Sequence, residues 1–267
     1  MPQKRIAIQS NSGGVGKTTL AVNLAYQLAR KKQTVALFGC DPNGSLTLFC
    51  GLDDPAADQT IDYILRPEFA GDYPLFSAWA DRISGIDACL GGLVLSETAQ
   101  RLTMTKRGEY LLADKLEDYP LPHDIIIFDC PGTIEQLHTV TLAASTHILV
   151  TLKPEDKDID AVAKLIDWIY RTRQELRLKP APEILGLVPN GFKDRAMHRD
   201  NLGLSPIADI ETLPSIMRTM GIPMFSKIND SAHIANAAAA GLPLGLFRPG
   251  EAANRIYADI ADAVIGA

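Results

Sequence analysis

The stretch Asn11-Ser12-Gly13-Gly14-Val15-Gly16-Lys17-Thr18-Thr19 constrains this chain more than any other. A short apolar run, Ile6-Ala7-Ile8, precedes it. An amphipathic segment from about Thr18 to Lys31, with Leu20, Leu24 and Leu28 at spacing four, follows it. Strand, glycine-rich turn and helix in that order make a cradle for phosphate. Glycines let backbone N–H groups close around anionic oxygens, and the helix start adds a positive dipole end. Gly16-Lys17-Thr18 fit the end of the phosphate-loop pattern. Asn11 stands where that pattern has its first glycine, and Gly13 and Gly14 open the loop instead. Lys17 is then the cation for the β- and γ-phosphates, Thr18 a magnesium ligand and Thr19 a contact to the α-phosphate.

Two further segments belong with this loop. The apolar run Asp124-Ile125-Ile126-Ile127-Phe128-Asp129 reads as a strand buried on both faces, and it ends in Cys130-Pro131-Gly132. A carboxylate at such a strand tip holds a magnesium shell, so Asp129 is the expected metal-site residue, with the Gly132 amide near the γ-phosphate. Cys40-Asp41-Pro42-Asn43-Gly44-Ser45 follows a second strand, Thr34–Phe38. Ligands of open α/β sheets bind at the carboxyl ends of strands, which places Asp41 near Lys17 and the metal. Asp-Pro-Asn-Gly is also good turn chemistry, so a plain turn is the alternative.

Strands continue at His147–Leu152 and Ile184–Val188, with a long helix from Asp158 to Arg177 between them and a further strand around Asp87–Leu90. Strands alternating with helices imply right-handed β-α-β crossovers. The expected fold is α/β: a mainly parallel, doubly wound sheet flanked by helices, in a P-loop NTPase with a deviant phosphate loop. The segment from Gly51 to Leu121 is the hardest to read. With no repeat and no convincing linker, residues 1–267 are expected to form one P-loop ATPase domain.

Composition excludes other classes. Hydrophobic residues are 46% and charged residues 22% of 267, as in an ordinary globular chain rather than a disordered one. The apolar stretch Ala235–Phe247 is interrupted by Asn236 and Pro243 and is too short to span a bilayer. The start, Met1-Pro2-Gln3-Lys4-Arg5, does not read as a secretory signal. The reading is of a cytoplasmic protein without a membrane. Its four cysteines show no C-x-x-C spacing and are expected as buried free thiols.

Gly-Gly-Val-Gly-Lys-Thr-Thr at 13–19, Asp-Pro-Asn at 41–43 and Ile-Ile-Phe-Asp-Cys-Pro-Gly at 126–132 together resemble the ParA/MinD family of deviant P-loop ATPases. Lys153-Pro154-Glu155 after a strand and Val188-Pro189-Asn190 resemble it too, as does Ala237–Leu244. The resemblance implies an ATPase that takes ATP and Mg²⁺ and closes as a homodimer with ATP sandwiched at the interface. It implies Ser12, Gly13, Gly14, Val15, Gly16, Lys17, Thr18 and Thr19 around the phosphates, Asn190 toward the adenine, and Lys153 and Pro154 as further nucleotide-site residues. Lys17, Asp41 and Asp129 are the implied catalytic set.

Two departures stand out. The family has a signature lysine before the two glycines, where this chain has Ser12. Facing ATP molecules carry charge that some cation must offset, and Lys153 is the expected substitute. The family pattern D-x-D-P has Gly39 at its first position here. If that aspartate positions the attacking water, hydrolysis is expected to be slow or impaired, since such a base contributes about 10²–10⁴-fold. Ser12 and the segment Ser45–Leu52 are similar to the carboxysome-positioning branch, called McdA. That branch implies nucleoid association, non-specific DNA binding in the ATP state, and a small adaptor protein that stimulates the ATPase.

Net charge is −6, yet Lys193–Arg255 carries seven basic and six acidic residues. Lys227, Arg248 and Arg255 are the DNA-contact candidates, with Lys193, Arg195 and Arg199 behind them. A plasmid or chromosome partition ATPase is the near alternative. A MinD-like membrane ATPase would need a basic amphipathic C-terminal helix, whereas Glu251–Val264 is mostly acidic and reads as a docked helix. An iron–sulfur ATPase is disfavoured by the cysteine spacing, and an amidating synthetase by lack of room for a second half.

Overall fold

The computed structural model describes residues 2–132, 136–206 and 212–267. Met1 of the N-terminal reading, and Asp209 and Glu211 of the charge count, lie outside the described residues. The first half runs β1 (Lys4–Gln9), α1 (Lys17–Arg30), β2 (Val35–Gly39), α2 (Ser45–Cys50), α3 (Ile61–Ile64), β3 (Phe76–Ser77), β4 (Ile86–Cys89), α4 (Val94–Met104), α5 (Leu111–Asp118) and β5 (Ile125–Asp129). The second runs α6 (Gln136–Ala144), β6 (His147–Leu152), α7 (Asp156–Glu175), β7 (Glu183–Pro189), α8 (Ala196–Asn201), α9 (Leu213–Thr219), α10 (Ala232–Ala239), α11 (Leu244–Phe247) and α12 (Ala253–Gly266).

Among the described residues these make a seven-stranded sheet in the order β3-β4-β2-β5-β1-β6-β7, parallel throughout except at β3. The alternation of strand side chains builds two cores. Ile6, Ile8, Ile125 and Ile127 point to one face, under α1, α10 and α12. Ala7, Ile126 and Phe128 point to the other, under α5 and α6. β6 and α7 add a third cluster through Val150, Leu165 and Ile169. Burial on both faces is why these strands read as unbroken apolar runs.

Of the four sequence-read parallel strands after β1, His147–Leu152 matches its bounds and the other three shift by one residue at one or both ends, and the strand expected near Asp87–Leu90 is β4 at Ile86–Cys89. Asp124 stays outside β5 because its carboxylate accepts from the amide and hydroxyl of Thr34, both at 2.8 Å. α7 begins and ends two residues earlier than the expected Asp158–Arg177, and Arg177 has already turned into the left-handed region. β3 escaped the sequence reading: two residues at an antiparallel edge carry no periodicity. The C-terminal segment packs as expected, with α12 burying Tyr257, Ile260 and Val264 against the core that α1 shares. All four cysteines are buried free thiols.

Candidate nucleotide site

β1, β2 and β5 are adjacent and parallel, so their carboxyl ends bring three loops together. The first runs from Ser10 to Gly16 and ends at the start of α1. Gly16 takes φ +93°, and a Cβ there would stand 2.0 Å from Asn190 Nδ2. Backbone angle and close contact each demand glycine. Gly132 approaches from β5, and its missing Cβ would lie 3.2 Å from Gly13 Cα.

Lys17 is 6% exposed. Its ammonium donates to Ser10 Oγ at 3.0 Å and to the Ser12 carbonyl at 3.3 Å. Burial pulls its pKa below the ordinary lysine value, against the raising fields of Asp129 and Asp41. A buried ammonium held only by neutral oxygens is poised for an anion.

Thr18 Oγ1 donates to Asp129 Oδ2 at 2.7 Å. Asp129 Oδ1 is buried and has no hydrogen-bond partner among the described residues. Burial raises this carboxyl to about 7, against the lowering effects of the Thr18 bond and Lys17. An orphaned carboxylate oxygen beside a threonine hydroxyl fits a divalent cation that would otherwise be ligated by phosphate and water. No group of three or more His, Cys, Asp or Glu side chains suited to a metal occurs among the described residues.

Asp41 Oδ1 accepts from the amide and side chain of Asn43, both at 2.9 Å. The turn holds Asp41 on the rim of a cavity of about 310 Å³ that is also lined by Lys17, Thr18, Gly132 and Phe49. A second cavity of about 280 Å³ lies beside it, lined by Lys153, Asn190, Gly191 and Ile234. Gly14, Gly16, Thr19 and Phe49 line both, so the two form one cleft with a Lys17 end and an Asn190 end.

Asn190 fastens the two ends. Its amide donates to the Leu152 carbonyl and its Nδ2 to the Val15 carbonyl, each at 2.8 Å. Lys153 lays its aliphatic stem within 3.4–3.8 Å of where a Cβ on Gly191 would be, and it forms no ion pair among the described residues. Val15 and Pro154 are buried, Ser12 is half-buried with its carbonyl turned to Lys17, and none of the three lines the cleft. Ser10, Phe49 and the α10 residue Ile234 were missed from sequence, because none has a chemistry that announces it.

Gly39 is a buried strand residue in register with Asp129. A side chain there would meet the Gly91 amide at 2.9 Å and Leu46 at 3.3 Å. It would point into the β2–α2 packing. Gly39 does not line the cavity that holds Lys17, whereas Asp41 does.

The basic candidates separate. Lys193, Arg195 and Arg199 lie 3.6, 3.0 and 3.4 Å from Asp230, Glu155 and Asp194. Arg248 and Arg255 are exposed and form no ion pair among the described residues. Lys227 is half-buried, with its ammonium 4.5 Å above the Phe192 ring. No described helix is long and apolar enough to cross a membrane.

Residues 3–181 match the profile of a family described as AAA domain. The chromosome partitioning protein ParA of Caulobacter vibrioides is 30% identical over 190 residues, which are 70% of this chain and 69% of that one. The structure of Cyanothece apo McdA superposes with a TM-score of 0.82 at 20% identity, covering 99% of this chain and 100% of that one. Cobyrinic acid a,c-diamide synthase from Mycobacterium smegmatis, solved with ADP and magnesium, gives 0.77 at 20% identity over 98% of this chain and 94% of that one.

Proposed function

The chain belongs to the ParA/MinD type of AAA-domain P-loop ATPases, and on that premise we propose that it binds ATP with magnesium, closes as a homodimer over two nucleotides, and uses the ATP state to hold non-specific DNA and distribute a cargo. The observation that carries this reading is the buried Lys17 beside the half-satisfied Thr18–Asp129 pair at the floor of one cleft.

In this reading the loop amides from Gly13 to Gly16 and the Lys17 ammonium bind the β- and γ-phosphates, and Thr19 reaches the α-phosphate. Thr18 and Asp129 hold magnesium, which when bound neutralises charge on the phosphate oxygens. Asp41, on the rim of the Lys17 end, orients the water. Gly39 then does not impair hydrolysis, because that position does not line the cleft. Asn190 orients the base, and Pro154 supports Lys153. Lys153, unpaired at the Asn190 end, supplies across the dimer the charge that Ser12 lacks. Lys227, Arg248 and Arg255 make the phosphate contacts to DNA, which fall with salt.

The cargo assignment has two candidates. Likeness to McdA and the serine at position 12 favour a carboxysome, reached through an adaptor protein, with the ATPase on the nucleoid in the cytoplasm. The identity to ParA favours a plasmid or chromosome. A membrane role is disfavoured because α12 spends its apolar face on the core.

The test is sedimentation and DNA binding with ATP, with ADP and without nucleotide. ATP-only dimers that alone bind DNA support the reading, and equal binding in all three states refutes it. Lys153→Ala is expected to abolish the ATP dimer while leaving nucleotide uptake by the monomer intact.

A further inference from the structure

A cavity of about 550 Å³ opens at the amino-terminal edge of the sheet, the edge opposite the phosphate loop. Its floor is Arg5 at the start of β1, and its walls come from the ends of α6 and α7 and from the residues around α5. Arg5, Arg107, Arg177 and Lys179 line it, against Asp114 and Glu117. Four cations face two carboxylates on a chain whose net charge is −6.

Arg5 is half-buried, and its guanidinium donates only to neutral oxygens, Gln3 Oε1 at 3.1 Å and the Leu116 carbonyl at 3.2 Å. Burial lowers its pKa, against the raising fields of Tyr73 and Glu117, and among the described residues no carboxylate pairs with it directly. Arg107 and Arg177 both adopt the left-handed backbone, at φ +58° and +53°. At Arg177 this turn closes the end of α7, with the Leu178 amide donating to the Arg173 carbonyl, and it leaves the guanidinium at the cavity mouth.

Helix C-termini attract cations, which is a reason for some of this charge. That demand is already met. Arg5 takes the Leu116 carbonyl, and the Tyr110 hydroxyl donates to the Leu176 carbonyl. Arg107 pairs with Asp114 at 3.2 Å. Arg177 and Lys179 are exposed, without an ion pair among the described residues, and have no structural partner to serve.

We infer that this cavity is a binding site for a small organic polyanion, of phosphate or carboxylate type, seated on Arg5, Arg177 and Lys179. Its volume lies in the range of small-molecule sites. The rim carboxylates Asp114 and Glu117 take hydroxyl or ammonium donors of such a ligand and repel a continuous nucleic-acid backbone. A nucleic acid is therefore the disfavoured occupant.

The test separates this site from the phosphate loop by using the full chain carrying Lys17→Ala, titrated calorimetrically with inorganic pyrophosphate in metal-free buffer. Saturable uptake is expected. Adding Arg177→Gln and Lys179→Gln, both at exposed positions, is expected to weaken it about tenfold with the thermal midpoint unchanged. No saturable uptake, or equal uptake by both chains, overturns the inference. Displacement of pyrophosphate by a short DNA duplex at equal charge concentration overturns it too, and assigns the patch to nucleic acid.

Discussion

Thr18 and Asp129, 111 residues apart, share one hydrogen bond of 2.7 Å, and the carboxylate that accepts it keeps its other oxygen buried and unpaired. The first turn of α1 and the tip of β5 are held so that this oxygen has no partner within the described residues. An unsatisfied buried acceptor costs about 1–3 kcal/mol.

Asp129→Asn follows from that cost. The carboxyl titrates near 7 when folded, because burial outweighs the Thr18 bond and the Lys17 field. Unfolded, it titrates near the ordinary carboxylate value. Between these values the folded state binds the extra proton, so this group lowers stability as pH rises and has its full unfavourable effect above about 7. The amide carries no charge. At pH 8 the nucleotide-free variant is expected to melt about 5 °C higher than the wild type, and the difference should shrink toward pH 5. Magnesium and ATP should then stabilise the wild type far more than the variant. A variant that melts lower at pH 8 would remove the burial argument.

Gly16→Ala is expected to be severe. The new methyl would need φ +93° and would stand 2.0 Å from Asn190 Nδ2. It breaks the Asn190–Val15 bond, which joins the two ends of the cleft. Calorimetric ATP affinity should fall at least about 100-fold. Asn190→Ala alone should cost less, about tenfold. The double variant should recover part of the Gly16→Ala loss, because its clash partner is gone. Strict additivity would show that the clash is irrelevant.

Gly39→Asp distinguishes two readings of the missing aspartate. If position 39 oriented water, restoring the acid would raise hydrolysis. The geometry forecasts the opposite: a carboxylate pressed on the Gly91 amide and Leu46, with a loss of about 3 kcal/mol in urea unfolding and no gain in phosphate release. Asp41→Ala should reduce release about 100-fold or more and leave ATP binding largely intact.

The phosphate loop, Asp129 and the parallel strands were legible because each rests on local chemistry or on burial of both strand faces. Lys17 needs glycines beside it, and Ile125–Phe128 needs no partner to be recognised as buried. Phe49 and Ser10 were not legible, since a phenylalanine and a serine acquire meaning only from the loop that folds over them. At position 39 spacing says only that a residue is near the site, while the room for a side chain there is set by the Gly91 amide and Leu46, which no local pattern announces. The segment from Gly51 to Leu121 resisted because its elements are short, and α3, β3 and β4 have four, two and four residues.

Asp62, the most elaborate ion pair of that illegible segment, yields the last prediction. Its side chain is 2% exposed and lies 2.6 Å from Arg66 and 2.8 Å from Arg101. It also accepts from the Thr98 hydroxyl at 2.5 Å. Burial works to raise its pKa, yet the bonds from Thr98, Arg66 and Arg101 outweigh burial and hold the carboxyl below its usual range. Its stabilisation is therefore complete above the unfolded carboxylate value and disappears as pH falls through the lower folded value. Both arginines reach solvent, which screens the pair and limits its worth. Asp62→Ala, which leaves Thr98 buried without this acceptor, should cost about 2–3 kcal/mol at pH 7 by urea unfolding. Asp62→Asn keeps an acceptor for Thr98 and should cost about half as much. The gap between wild type and Asp62→Asn should close as pH drops below about 4. A gap that holds constant to pH 3 would mean that the network acts through packing of α3 on α4 and not through charge.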